Sequence, residues 1–210
     1  MTKKQRAEII ITTLKQLYPK LEKFLDSSTD YEFMFAVILS AQTTDKKVNE
    51  VTPKLFKKYK TLKAFANANL EELQDHIKQI GLYKSKAKNI LATAKILQEK
   101  YKEKIPKTMA ELLELPGVGR KTANVVLGYI HGLTEGIAVD THVTRLAYKY
   151  GLTKNTDPKK IEQDLMKILP KEEWFHFTNR IIAYGRQYCP AHTHDHETCP
   201  LTLALKIKTE

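Results

Sequence analysis

The chain of 210 residues has only two cysteines, Cys189 and Cys199, and no long apolar segment. Two cysteines cannot build a disulfide framework, so the sequence favours a reducing compartment inside the cell. The longest apolar run near the start is three isoleucines, residues 9–11, which is far shorter than a signal sequence or a membrane span. We therefore expect a cytoplasmic protein with no membrane partner.

A convincing alternating strand pattern is also lacking. Apolar residues recur instead at helical spacing over ten segments, which are residues 2–17, 30–40, 45–59, 70–80, 84–101, 109–115, 120–131, 141–150, 158–169 and 173–187. Prolines and glycines fall between these segments. Short connections between about ten helices predict an all-α protein of packed helical lobes.

Acidic residues are too few to balance the basic ones. The chain has 35 Lys and Arg against 24 Asp and Glu, and its net charge of +11 indicates a polyanionic partner. Lysines crowd two segments, at positions 46, 47, 54, 57, 58 and 60 and at positions 84, 86 and 88. A solvated helix face explains most of these lysines without a ligand, so charge alone does not decide for nucleic acid.

Residues 115–123, LPGVGRKTA, interrupt two helical segments with a proline and two glycines. The pattern predicts a helix-hairpin-helix over about residues 109–131, a module that binds the nucleic-acid backbone without reading its sequence. Successive N–H groups at such a turn can bind a phosphate oxygen. The candidate phosphate contacts are Gly117, Val118, Gly119 and Arg120, and a purely structural turn is the alternative.

Lys121 and Asp140 place an amine and a carboxylate nineteen residues apart. An amine is a nucleophile only when neutral, and both the adjacent Arg120 and the positive end of a helix disfavour the charged form. A phosphate-binding surface lysine is the alternative. Asp140 precedes a predicted helix, where aspartate is a favoured N-cap, and a cap can also keep a catalytic carboxylate ionised.

Five segments of the chain, in the same order, resemble the endonuclease III family of base-excision DNA glycosylases with abasic-site lyase activity. They are LSAQTTD (39–45), IGLYKSKA (80–87), LPGVGRKTANVVL (115–127), IAVDTHVTRL (137–146) and YGRQYC (184–189). The resemblance covers nearly the whole chain. It implies a monomer that acts on double-stranded DNA containing damaged bases or abasic sites, with oxidised pyrimidines such as thymine glycol as substrates.

The resemblance also implies two helical lobes with a DNA-binding cleft between them. Residues 23–133 would form a six-helix barrel domain that contains the helix-hairpin-helix. Residues 1–22 and 134–210 would form a second, discontinuous helical domain. Lys121 and Asp140 would then lie on opposite walls of the cleft.

Site residues follow from the same resemblance. Lys121 would attack the deoxyribose, displace the base and form a Schiff base, and Asp140 would assist catalysis. Gln42 and Leu82 would enter the base stack when the damaged nucleotide is flipped out. Lys84 and His142 are further candidate DNA contacts, although a solvated lysine and a polar first-turn histidine are the simpler explanations.

The chain departs from the family at the iron-sulfur ligands, which are usually spaced Cys-x6-Cys-x2-Cys-x5-Cys. Cys189 and Cys199 match the first and third ligands, but His196 stands at the second position and Leu205 at the fourth. We therefore expect no intact [4Fe-4S] cluster, no cofactor and a degenerate loop over residues 189–205. Zinc on Cys189, His196 and Cys199 is the less favoured alternative, because the spacing is unlike that of common zinc sites.

Two other functions remain open from the sequence. A non-enzymatic helix-hairpin-helix DNA-binding protein would not need Lys121, Asp140 or Gln42. A related glycosylase could prefer a different base, although mismatch-adenine glycosylases of the same superfamily lack the lysine and need a further domain.

Overall fold

The computed structural model describes residues 1–21 and 23–206, and within these ranges all regular structure is helical. The all-α prediction is therefore confirmed. The elements are α1 (Lys3–Leu17), α2 (Asp30–Ser40), α3 (Asp45–Lys58), α4 (Leu62–Ala66), α5 (Leu70–His76), α6 (Tyr83–Glu99), α7 (Met109–Leu113), α8 (Arg120–His131), α9 (Thr141–Lys149), α10 (Pro158–Ile168), a short 3-10 helix (Lys171–Glu173), α11 (Trp174–Gln187) and α12 (Pro200–Leu205). No described helix has the length and apolarity that a membrane crossing requires.

Most helices begin at a residue whose side chain caps the first turn. A side-chain oxygen that accepts from a backbone N–H satisfies one of the donors left free at a helix start. The capping residues are Thr2, Thr29, Thr44, Thr61, Asn69, Thr108, Asp140 and Asp157. The helix predicted over residues 70–80 ends at His76, and the short helices α4 and α12 were not predicted.

The chain divides into two compact units, Met1–Glu22 with Thr134–Glu210 and Lys23–Leu133. Residue 22 and residues 207–210 lie outside the described part. The Lys23–Leu133 unit contains α2 to α8, seven helices where the resemblance implies six, and α4 is the additional one. Helix α2 is buried from Glu32 to Leu39 and packs against α3, α6 and α8, so it forms the centre of this unit.

The other unit contains α1 and α9 to α12, with α1 packed against α10, α11 and α12. Buried Tyr150 and Tyr184 join their hydroxyls at 3.0 Å, and Leu201 N donates to the Tyr184 hydroxyl at 3.2 Å. Arg180 of α11 bonds Glu173 Oε2 at 3.0 Å and donates from Nε to Tyr18 O at 3.2 Å. These contacts connect the N-terminal helix to α11 and bring α12 into the same core.

Candidate active site and metal centre

The turn between α7 and α8 is held by helix α6. Thr93 Oγ1 donates to Pro116 O at 3.0 Å. Gly117 has a φ of 81°, and a Cβ built there would lie 2.8 Å from Asn89 Nδ2. A side chain at position 117 would therefore be strained both by its backbone angle and by the close approach of Asn89.

The first turn of α8 has backbone donors at an exposed glycine turn. Gly119 is the N-cap. Because glycine has no side chain, no side-chain capping hydrogen bond occupies the backbone donors of the first turn. Gly117, Gly119 and Arg120 are exposed, whereas the Val118 side chain is buried and its backbone N–H already donates to Leu115 O at 3.1 Å. This arrangement suits an anion at the helix N-terminus, and phosphate binding stays a prediction.

Lys121 is the second residue of α8, and its side chain is exposed. The opposite face of the helix is anchored, because Ala123, Val126 and Leu127 are buried in the core of the Lys23–Leu133 unit. The lysine is thus carried by a fixed helix directly after the glycine turn, with its amine accessible to a large substrate.

Asp140 is the N-cap of α9, and its Oδ1 accepts from Val143 N at 2.9 Å. The strip before it is buried at Ile137, and Thr178 Oγ1 of α11 donates to Ala138 O at 2.9 Å. The half-buried carboxylate is therefore fixed by its cap bond and by the strip that leads into it. The capping interpretation is satisfied by this geometry, and the catalytic role stays a prediction.

His142 lies against Gly185 in the contact between α9 and α11. A Cβ built on Gly185 would lie 2.5 Å from His142 Nδ1 and 3.2 Å from Leu146 Cδ1. Glycine at position 185 therefore makes the room that the imidazole occupies, which the sequence did not indicate. The predicted DNA contact of His142 is not tested by this packing.

Two neighbouring turns present Gln42 and Leu82 in the left-handed backbone region, with φ of 54° and 59°. Both side chains are exposed, and Leu82 is 61% exposed although it is apolar. A Cβ built on Gly81 would lie 3.6 Å from Gln42 O, so the two turns are adjacent. Non-glycine residues held at positive φ often mark functional positions, because the strain needs support from surrounding structure.

That support comes from Lys86, which the sequence did not distinguish from its neighbours. Its ammonium donates to Leu39 O at 2.9 Å, to Ala41 O at 2.5 Å and to Thr43 Oγ1 at 3.0 Å. Lys86 is only 4% exposed, and this burial lowers its pKa from the ordinary lysine value. Helix α6, which begins directly after Leu82, is thereby connected to the turn that carries Gln42.

The other lysines of the two basic segments lie mainly at the surface. Lys84 is exposed in the first turn of α6, so it can reach a ligand. Two lysines of α3 form ion pairs, Lys47 with Glu50 at 2.8 Å and Lys58 with Glu72 at 2.5 Å. Part of the positive charge of this segment is therefore compensated within the protein.

The loop between α11 and α12 overturns the prediction that the chain has no cofactor site. Cys189, His194, His196 and Cys199 bring one donor atom each to within 4.8 Å of one another. Three of these four were candidates from the sequence, and His194 was missed. The prediction was wrong because the loop folds back on itself, so that thiols ten positions apart meet two imidazoles.

Comparison with known proteins shows a clear relationship. Residues 35–171 match the model of the HhH-GPD superfamily base excision DNA repair proteins. Endonuclease III of Synechocystis sp. is 47% identical over 90% of this chain and 87% of its own length, and that of Bacillus subtilis is 42% identical over 94% and 90%. A solved trapped endonuclease III–DNA covalent intermediate superposes with a TM-score of 0.90 at 40% identity, covering 97% of this chain and 95% of that one.

A thermostable thymine-DNA glycosylase shares the fold, with a TM-score of 0.79 at 21% identity over 96% of this chain and 94% of that chain. At this low identity, the likeness shows the fold alone. The endonuclease III relatives match at far higher identity and over nearly the whole length of both chains. This chain therefore belongs to the HhH-GPD superfamily of base-excision DNA repair proteins and, within it, to the endonuclease III family.

Proposed function

We propose that this protein excises oxidised pyrimidines from double-stranded DNA and cleaves the resulting abasic strand. Membership of the endonuclease III family makes it a bifunctional DNA glycosylase and abasic-site lyase. The observation that carries the residue assignment is the exposed Lys121 at the start of α8, directly after a glycine turn without a side-chain cap. We further infer that it acts as a monomer on the DNA of the nucleoid, and therefore in the cytoplasm.

Lys121 would be the nucleophile. Its neutral amine attacks the sugar C1′, the new N–C1′ bond replaces the bond to the base, and the base leaves with a proton. Ring opening gives the Schiff base. Loss of a C2′ proton then expels the 3′ phosphate oxygen, which breaks the strand by β-elimination and leaves the lysine to be freed by water.

Asp140 would act while positive charge develops on the sugar and would help to deprotonate Lys121. Its Oδ1 accepts the backbone N–H of Val143 at 2.9 Å, which fixes the orientation of the carboxylate. Because α9 and the Thr178 contact fix its position, little reorganisation is needed when charge develops.

Gln42 and Leu82 would hold the flipped-out state. A base inside a duplex is out of reach, so the target nucleotide must leave the stack. The exposed leucine can wedge between bases, and the exposed amide can fill the gap through hydrogen bonds. Lys84, at the start of the helix after Leu82, would contact a phosphate, as would the backbone N–H groups of Gly117, Gly119 and Arg120.

Borohydride trapping on DNA with one abasic site tests the assignment. Wild-type protein should give a covalent adduct, and Lys121→Ala should give none while it still binds the same DNA. Lys88→Ala, an exposed lysine on another helix, is the matched control and should give the wild-type adduct. An undiminished adduct with Lys121→Ala would place the nucleophile elsewhere.

Release of bases from duplexes that carry single lesions tests the substrate class. Thymine glycol should be released faster than an oxidised purine at the same position. Faster release of the purine would favour a related glycosylase of different base specificity. Binding without any release or adduct would favour a non-enzymatic DNA-binding protein.

A further inference from the structure

The loop between α11 and α12 gathers four metal-binding side chains from eleven consecutive residues. Cys189 and Cys199 are buried, and His194 and His196 are half-buried between them. The two cysteines are free thiols rather than a disulfide. The set of two sulfur and two imidazole donors is one that zinc accepts in structural sites.

The donor atoms lie close to the distances found around one tetrahedral ion. Zinc bonds of about 2.3 Å to sulfur and 2.0–2.1 Å to nitrogen place neighbouring donors roughly 3.3–3.8 Å apart. Cys199 Sγ lies 3.4 Å from His194 Nε2, and Cys189 Sγ lies 3.8 Å from His196 Nδ1. Cys199 Sγ lies 4.0 Å from His196 Nδ1. Two of these separations fall within that range, and all four donor atoms lie within 4.8 Å of one another, so a single ion needs the donors to move only slightly closer together.

Hydrogen bonds orient the donors toward that point. His194 Nδ1 lies 2.9 Å from His192 O, so Nδ1–H donates there and leaves the lone pair of Nε2 facing Cys199. Bonding of the second ring nitrogen to a backbone carbonyl is the usual way a metal-binding histidine is fixed. Arg145 donates from Nη2 to Cys189 O at 2.7 Å and holds the other end of the loop.

We propose that Cys189, His194, His196 and Cys199 bind one zinc ion at the position where the family carries its iron-sulfur loop. The family cluster is held by four cysteines, whereas this loop offers two thiols, and Leu205 lies buried in α12 without a donor atom. The zinc closes the loop between α11 and α12 and so fixes α12 against α1. Its role is structural, because all four tetrahedral positions are taken by protein.

Lys149 is the competing partner inside this group. Its ammonium makes a short contact with His196 Nδ1, the same atom that the zinc would take. When zinc is bound, Lys149 must turn away from that nitrogen. The experiment must therefore distinguish a zinc site from a metal-free group that Lys149 and hydrogen bonds hold together.

Metal analysis of the purified full-length protein is the first measurement. It should return about one zinc per chain. After the zinc is replaced by Co²⁺, the protein should show the intense visible bands of tetrahedral cobalt and the charge-transfer absorbance of cobalt–thiolate bonds. Free zinc at about 100 times its Kd should raise the Tm by roughly 5–10 °C relative to chelator.

Histidine variants locate the site. His194→Ala and His196→Ala should each lose the stoichiometric zinc and the response of Tm to zinc. His192→Ala is the matched control, since this exposed histidine of the same loop donates no ligand atom to the group, and it should keep both. If the two variants fail to fold, the zinc content and the cobalt spectrum of the wild-type protein still show whether the protein binds zinc.

Two results would overturn the proposal. About four irons per chain with broad absorbance near 400 nm would show an iron-sulfur cluster in place of zinc. Metal-free protein whose Tm is the same in zinc and in chelator would show that Lys149 and the hydrogen bonds alone hold the loop. Neither result would affect the proposed lyase chemistry, which is measured separately by borohydride trapping.

Discussion

Replacement of Lys86 by methionine should remove the support of the turn that presents Gln42. Methionine keeps most of the aliphatic length of the side chain but cannot donate to Leu39 O, Ala41 O or Thr43 Oγ1. Ala41 is exposed and Thr43 is half-buried, so water can replace the ammonium at both. Leu39 O lies at the buried end of the group and has no such access.

The expected loss follows from that one buried acceptor. A hydrogen bond to a charged group contributes about 1.5–3 kcal/mol, and a buried acceptor left without a donor costs a similar amount. We expect a loss of about 2 kcal/mol, which for a chain of this length lowers the Tm by roughly 4–8 °C. Methionine also removes the cost of burying a charged ammonium. The loss of stability should therefore be smaller than three charged hydrogen bonds would suggest.

Excision should fall by more than the loss of stability explains. A non-glycine residue at positive φ costs roughly 1–2 kcal/mol, and without Lys86 the turn can relax away from the conformation that exposes Gln42. Excision below the Tm should then slow by roughly 5- to 30-fold, the factor equivalent to that energy. This second expectation rests on the proposed role of Gln42, whereas the change in Tm does not.

Thermal melts and single-turnover excision of thymine glycol measure the two effects. Lys88→Met is the matched control, because Lys88 lies two residues further along α6 and is exposed. It should change the Tm by no more than about 2 °C, as surface substitutions usually do. A Lys86→Met protein with the same Tm as the Lys88→Met control would refute the argument that Lys86 holds the turn.

Two further variants test the fixed positions in the other unit. Asp140→Asn should keep the Tm within a few degrees, because asparagine caps helices about as well as aspartate, yet should slow excision by roughly 10²-fold or more in the same assay. Near-normal excision would reduce Asp140 to a cap. Gly185→Ala should lower the free energy of unfolding by about 1–3 kcal/mol in denaturant titrations, because its Cβ would meet His142 and Leu146. Gly119→Ala is the control for steric overlap, since its Cβ meets nothing within 4 Å. Alanine caps a helix less well than glycine, so a small loss is expected there, and a loss as large as that of Gly185→Ala would contradict the packing argument.

The helices that carry the site could be predicted because their signals are local. The helix predicted over residues 120–131 has the observed bounds of α8, since a glycine turn precedes it and apolar residues recur along it. Helix α4 has five residues, Leu62–Ala66, which are too few to show a period. Its packing against α6 stabilises it, and that contact is not visible in the sequence.

Lys84, Lys86 and Lys88 show why a residue's role is harder to predict than its helix. The three lysines are equivalent in sequence, yet Lys84 and Lys88 are exposed and Lys86 is buried. Burial of a lysine requires acceptors around its ammonium, and here they come from residues 39–43, more than forty positions away along the chain. No local pattern could indicate those partners.

The metal group could be predicted only in part, for a related reason. The four positions of the family's cysteine pattern include His196 but not His194. What decides ligation is where the donor atoms meet, and the fold of the loop brings His194 Nε2 to 3.4 Å from Cys199 Sγ. Spacing predicts a site only when the backbone between the ligands follows the conformation that the spacing assumes.

Gln42 and Leu82 show that strain can be recognised as a functional signal only after the fold is known. Either residue at positive φ costs energy, and an exposed leucine gains nothing by burial. The fold nonetheless holds both turns side by side, with Gly81 against Gln42 O and Lys86 bonded across them. Because stability alone would favour relaxing these turns, the buried lysine that prevents relaxation is best explained by the need to keep two exposed side chains ready for a partner.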